Sequence, residues 1–443
     1  MKLASLILLS IALNLAIHWR SPHRLEFTSE ATRVSAAIQE GRGFSDPYLT
    51  GPSGPTAQMP PLYPYLHAAI STFFGIGVIG WFAIVIITSA AWGLQWYFAY
   101  RLAGVFEHGT AGFYGAIFGA LLPLPGRLFK WEAVFTGLAI AIACWLLAKI
   151  LTGDTRWRTV AALGLTLACG ILLAPVLIAL LPLWSLLILV QGFLKSAKAA
   201  NPRRHTEQEL AIGQNGPRSV LREFLKKTFP ALRIAAAVMI IALLPAALWT
   251  ARNFAVFGHF IPVRDAGLAV AASWDDCASA LVATNIASGC FAREHPSGSL
   301  AMLQRLRAAG EYNLSVSEMA RAGLWMSRHP FRVAVLTLEH FFFFWFPVDP
   351  DGRFLGAIIS VVTLLSLFGL LWYRSIGFWI TATALFGYSL TYYFVQVEQR
   401  YRLPILWGSV LLACIGLKIF AEWLSAARRR KAPPEKALAA SAR

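Results

Sequence analysis

Four charged residues stand at the ends of apolar stretches, where a side chain can react beside a membrane. Glu30 opens a short segment with helical periodicity, Glu132 stands at the start of a later apolar run, and Arg400 and Arg402 flank Tyr401 before the last one. A carboxylate can take the proton of an attacking hydroxyl, and guanidinium groups bind phosphate oxygens through paired hydrogen bonds. These residue types suit transfer of a group from a phosphate-bearing donor to a hydroxyl.

Each of these residues also fits a purely structural role. A carboxylate at a helix N-terminus, as at Glu30 and Glu132, is stabilised by the helix dipole, and Arg33 offers Glu30 an ion-pair partner. Arginines beside a membrane extend their charge towards lipid headgroups. Arg400 and Arg402 favour function more strongly, because arginines on the outer side of a membrane run against the usual charge distribution.

Histidine usage gives little sign of a metal centre. No group of His and Cys has the spacing of zinc ligands, so structural zinc is not predicted. If Glu30 and Glu132 converge, they could hold a divalent ion together with water. His67 and His329 are each isolated in the sequence, which is typical of structural histidines. The requirement for a metal stays open.

Two of the five cysteines are placed to form a disulfide. Cys277 and Cys290 fall in one polar segment, and we expect a bridge between them if that face of the membrane is oxidising. Such a bridge would restrict the segment between them. The other three, Cys144, Cys169 and Cys414, lie in apolar runs, where cysteine behaves as a small apolar residue.

The composition indicates a membrane protein. Of the 443 residues, 57% are hydrophobic and 14% are charged, whereas soluble domains carry roughly 25% charged residues. The formal net charge is +17, and two segments, 195–233 and 425–443, carry +11 of it. Basic residues clustered in short connections mark the cytoplasmic side of a membrane protein. The charge therefore indicates orientation, and no nucleic-acid partner is expected.

The apolar runs predict about ten transmembrane helices, each needing about 17–25 residues. Two further stretches, Leu62–Gly77 and Phe331–Phe346, are interrupted by polar groups and are predicted as amphipathic helices on the outer surface. This count puts both termini in the cytoplasm. The predicted spans are Leu3–Trp19, 79–101, 109–126, 131–151, 158–175, 176–194, 232–250, 354–373, 377–396 and 403–424.

The predicted architecture is an all-α polytopic membrane protein with one transmembrane domain over residues 1–424. Residues 20–78 and 252–353 form its outer loops, and residues 195–233 form a basic cytoplasmic loop. The basic cytoplasmic tail, 425–443, is predicted to be disordered. Because the polar sequence is concentrated in the two outer loops, we expect the chemistry on the outward face.

Motifs in the outer loops resemble the C-superfamily of glycosyltransferases. After the acidic residue that opens a short helix, a G-R-G-F turn occupies 41–44 and P-P-L-Y-P-Y-L occupies 60–66. Later motifs similar to the superfamily occupy Trp249–Arg264, 310–313, 329–330, 344–347 and 400–404. Together they span nearly the whole chain. The resemblance is greatest to the protein O-mannosyltransferase and aminoarabinose transferase type.

The resemblance implies a membrane enzyme that takes a sugar from a polyprenyl-phosphate donor. It implies Glu30 as catalytic base with Glu132 nearby, and donor binding by Tyr63, Arg127, Lys130, Arg400 and Arg402. The chain departs from the family pattern at Ser29, where Asp is usual, and at Met59, where Lys is frequent. Either Glu30 does the work of the missing Asp, or the protein has drifted from transferase chemistry.

The expected function is transfer of a hexosyl or pentosyl group to a hydroxyl on a lipid, polysaccharide or protein, at the outer face of a bacterial-type inner membrane in the cell envelope. The alternatives are a transporter or lipid-handling protein without catalysis, and a scaffold that keeps the fold. Transporters tend to carry ionisable residues at the midplane of their spans. The central parts of these spans carry almost no charge, which favours an enzyme working at the membrane surface.

Overall fold

The computed structural model describes residues 3–20, 24–199, 217–347, 353–372 and 376–431. The predicted all-α architecture is confirmed, since the regular elements in these ranges are helices. In chain order the α-helices are α1 Leu3–His18, α2 Glu30–Gln39, α3 Leu62–Phe74, α4 Val78–Val105, α5 Gly109–Ala120, α6 Ala133–Thr152, α7 Trp157–Leu173, α8 Leu180–Ala199, α9 Pro217–Phe257, α10 Gly267–Ala271, α11 Val282–Ala287, α12 Cys290–Glu294, α13 Leu300–Ala309, α14 Glu311–Arg328, α15 Pro330–Trp345, α16 Arg353–Trp372, α17 Ile376–Ser389 and α18 Leu406–Lys431.

The protein is an integral membrane protein. Within the described ranges, five helices are long and apolar enough to cross a bilayer: Val78–Val105, Ala133–Thr152, Pro175–Lys195, Phe229–Phe257 and Gln399–Ala427. Three more are apolar but shorter: Leu3–His18, Trp157–Leu173 and Gly356–Leu367. The total of ten spans stays a prediction, because some predicted spans, such as 109–126, fold as helices too short to reach across a bilayer alone.

Helices extend into the segments predicted as a loop and a tail. Helix α8 runs to Ala199 and α9 begins at Pro217, so the described ends of the basic loop are helical, and residues 200–216 lie outside the described residues. Helix α18 runs to Lys431, which makes the first part of the predicted disordered tail helical. Residues 432–443 also lie outside the described residues.

Helix α4 lies at the centre of the bundle, in contact with α1, α5 and α6. Gly93 permits the approach of α1, because a Cβ at this position would lie 2.8 Å from the carbonyl oxygen of Leu6. Near the other end of α1, Asn14 Oδ1 accepts a hydrogen bond of 2.9 Å from the backbone N–H of Leu124, and His18 Nε2 lies 2.7 Å from its carbonyl oxygen. Helix α1 thereby fixes the turn that leads to α6.

The two predicted outer loops pack against each other. Thr50 Oγ1 donates a hydrogen bond of 2.6 Å to the carbonyl oxygen of Pro296. The backbone N–H of Asp265 donates one of 2.7 Å to the carbonyl oxygen of Ala57. Since these partners come from both loops, a side chain on one loop can complete a site on the other.

The second outer loop has internal braces of its own. A disulfide joins Cys277 to Cys290, with the two Cα atoms 5.5 Å apart. Arg321 forms ion pairs with three carboxylates from separate parts of this loop: Asp275, Glu294 and Glu318. These links hold α12 and the segment around Asp275 against α14.

Candidate functional site

Ser29 places Glu30 by capping helix α2. Its hydroxyl accepts a hydrogen bond from the backbone N–H of Thr32, and Thr32 Oγ1 accepts one from the backbone N–H of Ser29, which forms a capping box. The same hydroxyl donates a hydrogen bond of 3.0 Å to the carbonyl oxygen of Lys130. The start of α2 is therefore joined to the segment that precedes Glu132.

The carboxylate of Glu30 meets two residues of the second outer loop. Ser297 Oγ donates a hydrogen bond of 2.8 Å to Glu30 Oε1, and His295 Nε2 lies 3.6 Å from the same oxygen. The Glu30 side chain keeps 21% of its surface exposed, while that of His295 keeps 10%. Ser297 and His295 therefore fix the position of the Glu30 carboxylate, which is still exposed enough for a ligand to reach it.

Further titratable groups surround this carboxylate. The Tyr48 side chain is fully buried, and burial together with the charges of Glu311, Glu30 and Asp265 raises its pKa well above the usual value. Burial also raises the pKa of Glu311 to about 7, although Thr56 and the backbone N–H of Ala57 donate hydrogen bonds to its two oxygens. The junction of the two outer loops is therefore rich in acidic groups.

The sequence-predicted residues near Glu132 have differing surroundings. Lys130 Nζ pairs with Glu26 and donates a hydrogen bond of 2.9 Å to Thr28, and the buried Tyr63 donates one of 2.7 Å to the carbonyl oxygen of Phe129. Glu132 immediately precedes α6, and its buried Oε2 has no hydrogen-bond partner among the residues that the structure describes. The side chain of Arg127 lies outside the described residues.

Arg400 lies against this part of the first outer segment. Its guanidinium carbon is 3.3 Å from the centre of the Trp131 ring, and Nε pairs with Glu398 at 2.7 Å. The charge of Glu132 also acts on Arg400. Nη1 is buried and has no hydrogen-bond partner within the described ranges, while the Arg400 side chain as a whole keeps 10% of its surface exposed.

Arg402 occupies different surroundings although only Tyr401 separates it from Arg400. Its side chain is 1% exposed and donates hydrogen bonds to Ser409 at 2.5 Å and Thr363 at 3.4 Å. The guanidinium also stacks over Trp345, 4.6 Å from the ring centre. The structure therefore does not present Arg402 at the surface beside Arg400, because the residue is enclosed by the last helix and its neighbours.

Arg264 is a cation that the sequence interpretation did not single out. Its guanidinium Nε is buried without a hydrogen-bond partner in the described part of the chain. Its positive charge interacts electrostatically with Tyr48 and His295, which lie near Glu30. It also interacts with Tyr392 and Tyr401, which lie near Arg400. Arg264 thus lies between the two groups of predicted site residues.

The backbone around Arg264 is held from both sides. Val263, just before it, has φ of 43°, which is uncommon for a β-branched residue and costs conformational energy. Val263 is buried, and the side chain of Asp265, just after it, accepts hydrogen bonds from Ser315 and from the backbone of Gly267. No glycine or proline at 263 signals this turn. Arg264 ends the motif Trp249–Arg264, which is the available hint, but the motif alone does not indicate a role for its side chain.

An apolar groove of about 330 Å³ opens between α3, α7 and α9. Its walls are Pro61, Leu62, Tyr65, Leu172, Pro245, Leu248 and Trp249. Tyr65 and Trp249 both contact Phe44, which belongs with Ala31 and Val34 of α2 to one apolar cluster. The groove therefore adjoins the helix that begins with Glu30.

Comparisons with known proteins show what fold this is. No protein-family model and no curated protein matches the chain. A solved structure of the oligosaccharyltransferase AglB from Archaeoglobus fulgidus, in complex with an inhibitory peptide and a dolichol-phosphate, matches 97% of this chain with a TM-score of 0.50 and 13% identity. A structure of the Archaeoglobus fulgidus oligosaccharyltransferase with Zn and sulfate matches 95% with a TM-score of 0.51 and 16% identity. A third, tethered to an acceptor peptide, matches 96% with a TM-score of 0.51 and 12% identity.

The chain shares the fold of these oligosaccharyltransferase structures, which confirms the C-superfamily-like (GT-C-like) architecture expected from the sequence. It covers 51%, 49% and 50% of the lengths of the three matched chains, so it spans about half of each. The likeness extends over nearly all of this chain. The narrower resemblance, to the O-mannosyltransferase and aminoarabinose transferase type, stays a prediction.

The two residues that depart from the expected family pattern, Ser29 and Met59, have structural roles in this fold. Ser29 is 6% exposed and caps α2, as described above. Met59 is 3% exposed and packs in the apolar cluster with Ala31, Val34 and Phe44. Neither position offers a charge to a ligand, so the cations near Glu30 must come from elsewhere in the fold.

The residues give limited support for a metal at Glu30 and Glu132. Among the described residues, one group of three potential ligands lies close together, Asp275, Cys277 and Glu294. Cys277 is in the disulfide, and both acids pair with Arg321, so this group is a poor metal site. The divalent ion at Glu30 and Glu132 stays a prediction.

Proposed function

We propose that the protein is a membrane glycosyltransferase that moves a sugar from a polyprenyl-phosphate donor to a hydroxyl acceptor, with Glu30 as the base. One observation carries the proposal: the accessible carboxylate of Glu30 is held at the junction of both outer loops by Ser297 and His295. The charge of Arg264 acts on the same His295, and its Nε has no hydrogen-bond partner among the described residues. The fold supports it, and one structural neighbour is a complex with a dolichol-phosphate.

In the proposed reaction, Glu30 takes the proton of the acceptor hydroxyl as its oxygen attacks the anomeric carbon. The bond between that carbon and the phosphate oxygen breaks, and the polyprenyl phosphate leaves with the bonding electrons. A single displacement of this kind inverts the anomeric configuration. The leaving phosphate gains charge, so a nearby guanidinium stabilises the transition state.

Arg264 and Arg400 are the proposed phosphate-binding residues. Each has a buried guanidinium nitrogen without a hydrogen-bond partner in the described part of the chain, and each lies near Tyr401. Guanidinium groups bind phosphate oxygens through strong, charge-assisted hydrogen bonds. Arg402 also has guanidinium nitrogens without a partner in that part of the chain, but it is left out of this role because the residue is 1% exposed, whereas the Arg400 side chain keeps 10% of its surface exposed.

The apolar groove beside α2 is the proposed path of the polyprenyl chain. Its walls are apolar and aromatic, and it adjoins the apolar cluster that contains Ala31 and Val34 of α2. A lipid tail there would leave its phosphate near the outer loops. We further propose that these loops face outward from a bacterial-type inner membrane and that both termini are cytoplasmic, as the basic segments indicate.

The base is tested by assaying sugar transfer in membranes from a panel of labelled polyprenyl-phosphate monosaccharides. Glu30→Gln should lower kcat by at least a hundredfold, because general base catalysis typically contributes about 10²–10⁴-fold. Glu40→Gln is the control, since Glu40 lies at the other end of α2 and its side chain is 60% exposed.

Undiminished transfer by Glu30→Gln would remove the base assignment. Binding of the polyprenyl phosphate with no transfer from any donor would instead favour the alternative, a lipid-handling protein built on the same fold.

A further inference from the structure

We infer that His295 and Ser297 are positioning residues that hold one oxygen of Glu30 and leave the other free for the acceptor hydroxyl. The inference rests on the proposed function, because it concerns the residue assigned there as the base. It assigns part of the site to the second outer loop, which the sequence motifs did not connect with Glu30.

Both residues approach the same carboxylate oxygen. Ser297 Oγ donates a hydrogen bond of 2.8 Å to Glu30 Oε1, and His295 Nε2 lies 3.6 Å from Oε1. The backbone N–H of Ser297 donates a hydrogen bond of 3.2 Å to His295 Nδ1. Since Nδ1 accepts, the proton of the neutral imidazole is on Nε2, which faces the carboxylate. Oε2 of Glu30 is then the oxygen left to accept a proton.

The segment 295–297 is fixed by contacts on several sides. The imidazole of His295 stacks on Phe291, with ring centres 4.6 Å apart, and meets the edge of Tyr48 at 5.9 Å. Thr50 Oγ1 donates a hydrogen bond of 2.6 Å to the carbonyl oxygen of Pro296. Because Tyr48 and Thr50 belong to the same outer loop as Glu30, the two loops hold the base in one geometry.

The charge state of His295 suits this role. Burial lowers the pKa of His295, Arg264 lowers it further, and Glu30 acts in the opposite direction. The titratable and charged groups around the ring are Glu30, Tyr48 and Arg264. The imidazole is therefore neutral at neutral pH, and a neutral N–H orients the carboxylate without forming the full ion pair that would weaken it as a base.

The disulfide connects with this arrangement through helix α12. Cys290 begins α12, which ends at Glu294 directly before His295, and its disulfide partner is Cys277. Arg321 pairs with Glu294 at the end of the same helix. These links fix the helix that presents His295 and Ser297 to Glu30.

The test compares Ser297→Ala and His295→Phe with the conservative variants Ser297→Thr and His295→Gln. Ser327→Ala is the control, since Ser327 lies in the same loop, is exposed, and donates its hydrogen bond of 2.8 Å to the backbone carbonyl of Leu324. We expect Ser297→Ala to lower kcat about tenfold, the size of one hydrogen bond to a charged group, with the KM for the donor changed less than twofold. Ser297→Thr should restore kcat.

The pH–rate profile supplies a readout that a general loss of stability would not move. In Ser297→Ala its acidic limb should move to higher pH, because a carboxylate that has lost a hydrogen-bond donor is more easily protonated. The same direction is expected for His295→Phe, which removes the polar Nε2 that lies 3.6 Å from Glu30 Oε1. Carbodiimide labelling of Glu30, measured by mass spectrometry across pH, gives a second readout that needs no transfer activity. The pH dependence of this labelling should also move to higher pH in the two variants. For His295→Gln, the acidic limb of the pH–rate profile should lie between those of His295→Phe and the unmodified protein.

Unchanged kcat, pH profile and labelling in both Ser297→Ala and His295→Phe would overturn the positioning role. If that happens while Glu30→Gln is inactive, the proposed function stands and this inference fails. If Glu30→Gln is fully active, the base assignment and this inference fail together.

Discussion

Thr56 Oγ1 donates a hydrogen bond of 2.7 Å to Glu311 Oε2, and this bond joins the first outer loop to helix α14 of the second. Glu311 Oε1 accepts a second bond, of 2.6 Å, from the backbone N–H of Ala57. The carboxyl is 5% exposed. Among the described residues this buried acid has hydrogen-bond donors and no ion-pair partner, so the packing of the loops depends on its protonation.

Stability should fall as pH rises between about 4.5 and about 7. The pKa of Glu311 is about 7 in the folded protein, against an ordinary value of 4.5, so the folded state binds the proton more tightly than the unfolded state. The free energy of unfolding is then higher below pH 4.5 and decreases towards pH 7, by about 3 kcal/mol at most. Glu311→Gln should lack this decrease, so thermal unfolding of both proteins at pH 5 and pH 8 measures it. Parallel pH dependence in the two proteins would contradict the assignment.

Arg264→Gln should raise the KM for a polyprenyl-phosphate donor by about ten- to a hundredfold, because a hydrogen bond to a charged group contributes about 1.5–3 kcal/mol. Arg264→Lys should recover part of the loss, since an ammonium keeps the charge without the paired donors. Arg293→Gln, at an exposed arginine of the same loop, is the matched control. A KM for Arg264→Gln equal to that of the control would exclude contact with the donor phosphate.

Arg400→Gln and Arg402→Met should have different effects. The first removes a proposed phosphate contact, so donor KM should rise. It also removes the partner of Glu398 and the stacking on Trp131, so the thermal unfolding temperature should fall. The second replaces a buried cation by a residue of similar length, and such replacements are often neutral or stabilising, so donor KM should stay the same. Donor titrations and thermal unfolding of both variants measure the contrast. A raised donor KM in a stably folded Arg402→Met would restore Arg402 to the site.

Filling the apolar groove should affect long-chain donors selectively. Leu248→Trp places a larger side chain inside the groove and reduces its volume of about 330 Å³. It should therefore raise the KM for a long polyprenyl phosphate more than the KM for a short-chain analogue with the same headgroup. Leu244→Trp is the control, because Leu244 lies on the same helix, is 58% exposed and does not line the groove. Equal KM changes for the long and short donors would place the lipid elsewhere.

The fold was accessible from the sequence because apolar runs long enough to form membrane helices are local signals. The short helix that Glu30 opens was also predicted from local periodicity, and α2 begins at Glu30. The contacts of the Glu30 side chain could not be predicted from the sequence, because Ser297 is 267 residues away. Arg402 was predicted at the outer surface, and its burial depends on Thr363 and Ser409, whose placement no local pattern indicates.

The links between the outer loops have a consequence for biosynthesis. Thr56 and Glu311 are 255 residues apart in sequence, and Glu30 and Ser297 are 267 apart. At a synthesis rate of about 5–20 residues per second, the first loop is synthesised roughly 10–50 s before its partners in the second loop. During that interval Glu30 has neither Ser297 nor His295 beside it. Each nascent chain therefore passes through a period in which the first loop is exposed to chaperones and proteases, and its lifetime is set by the rate of translation.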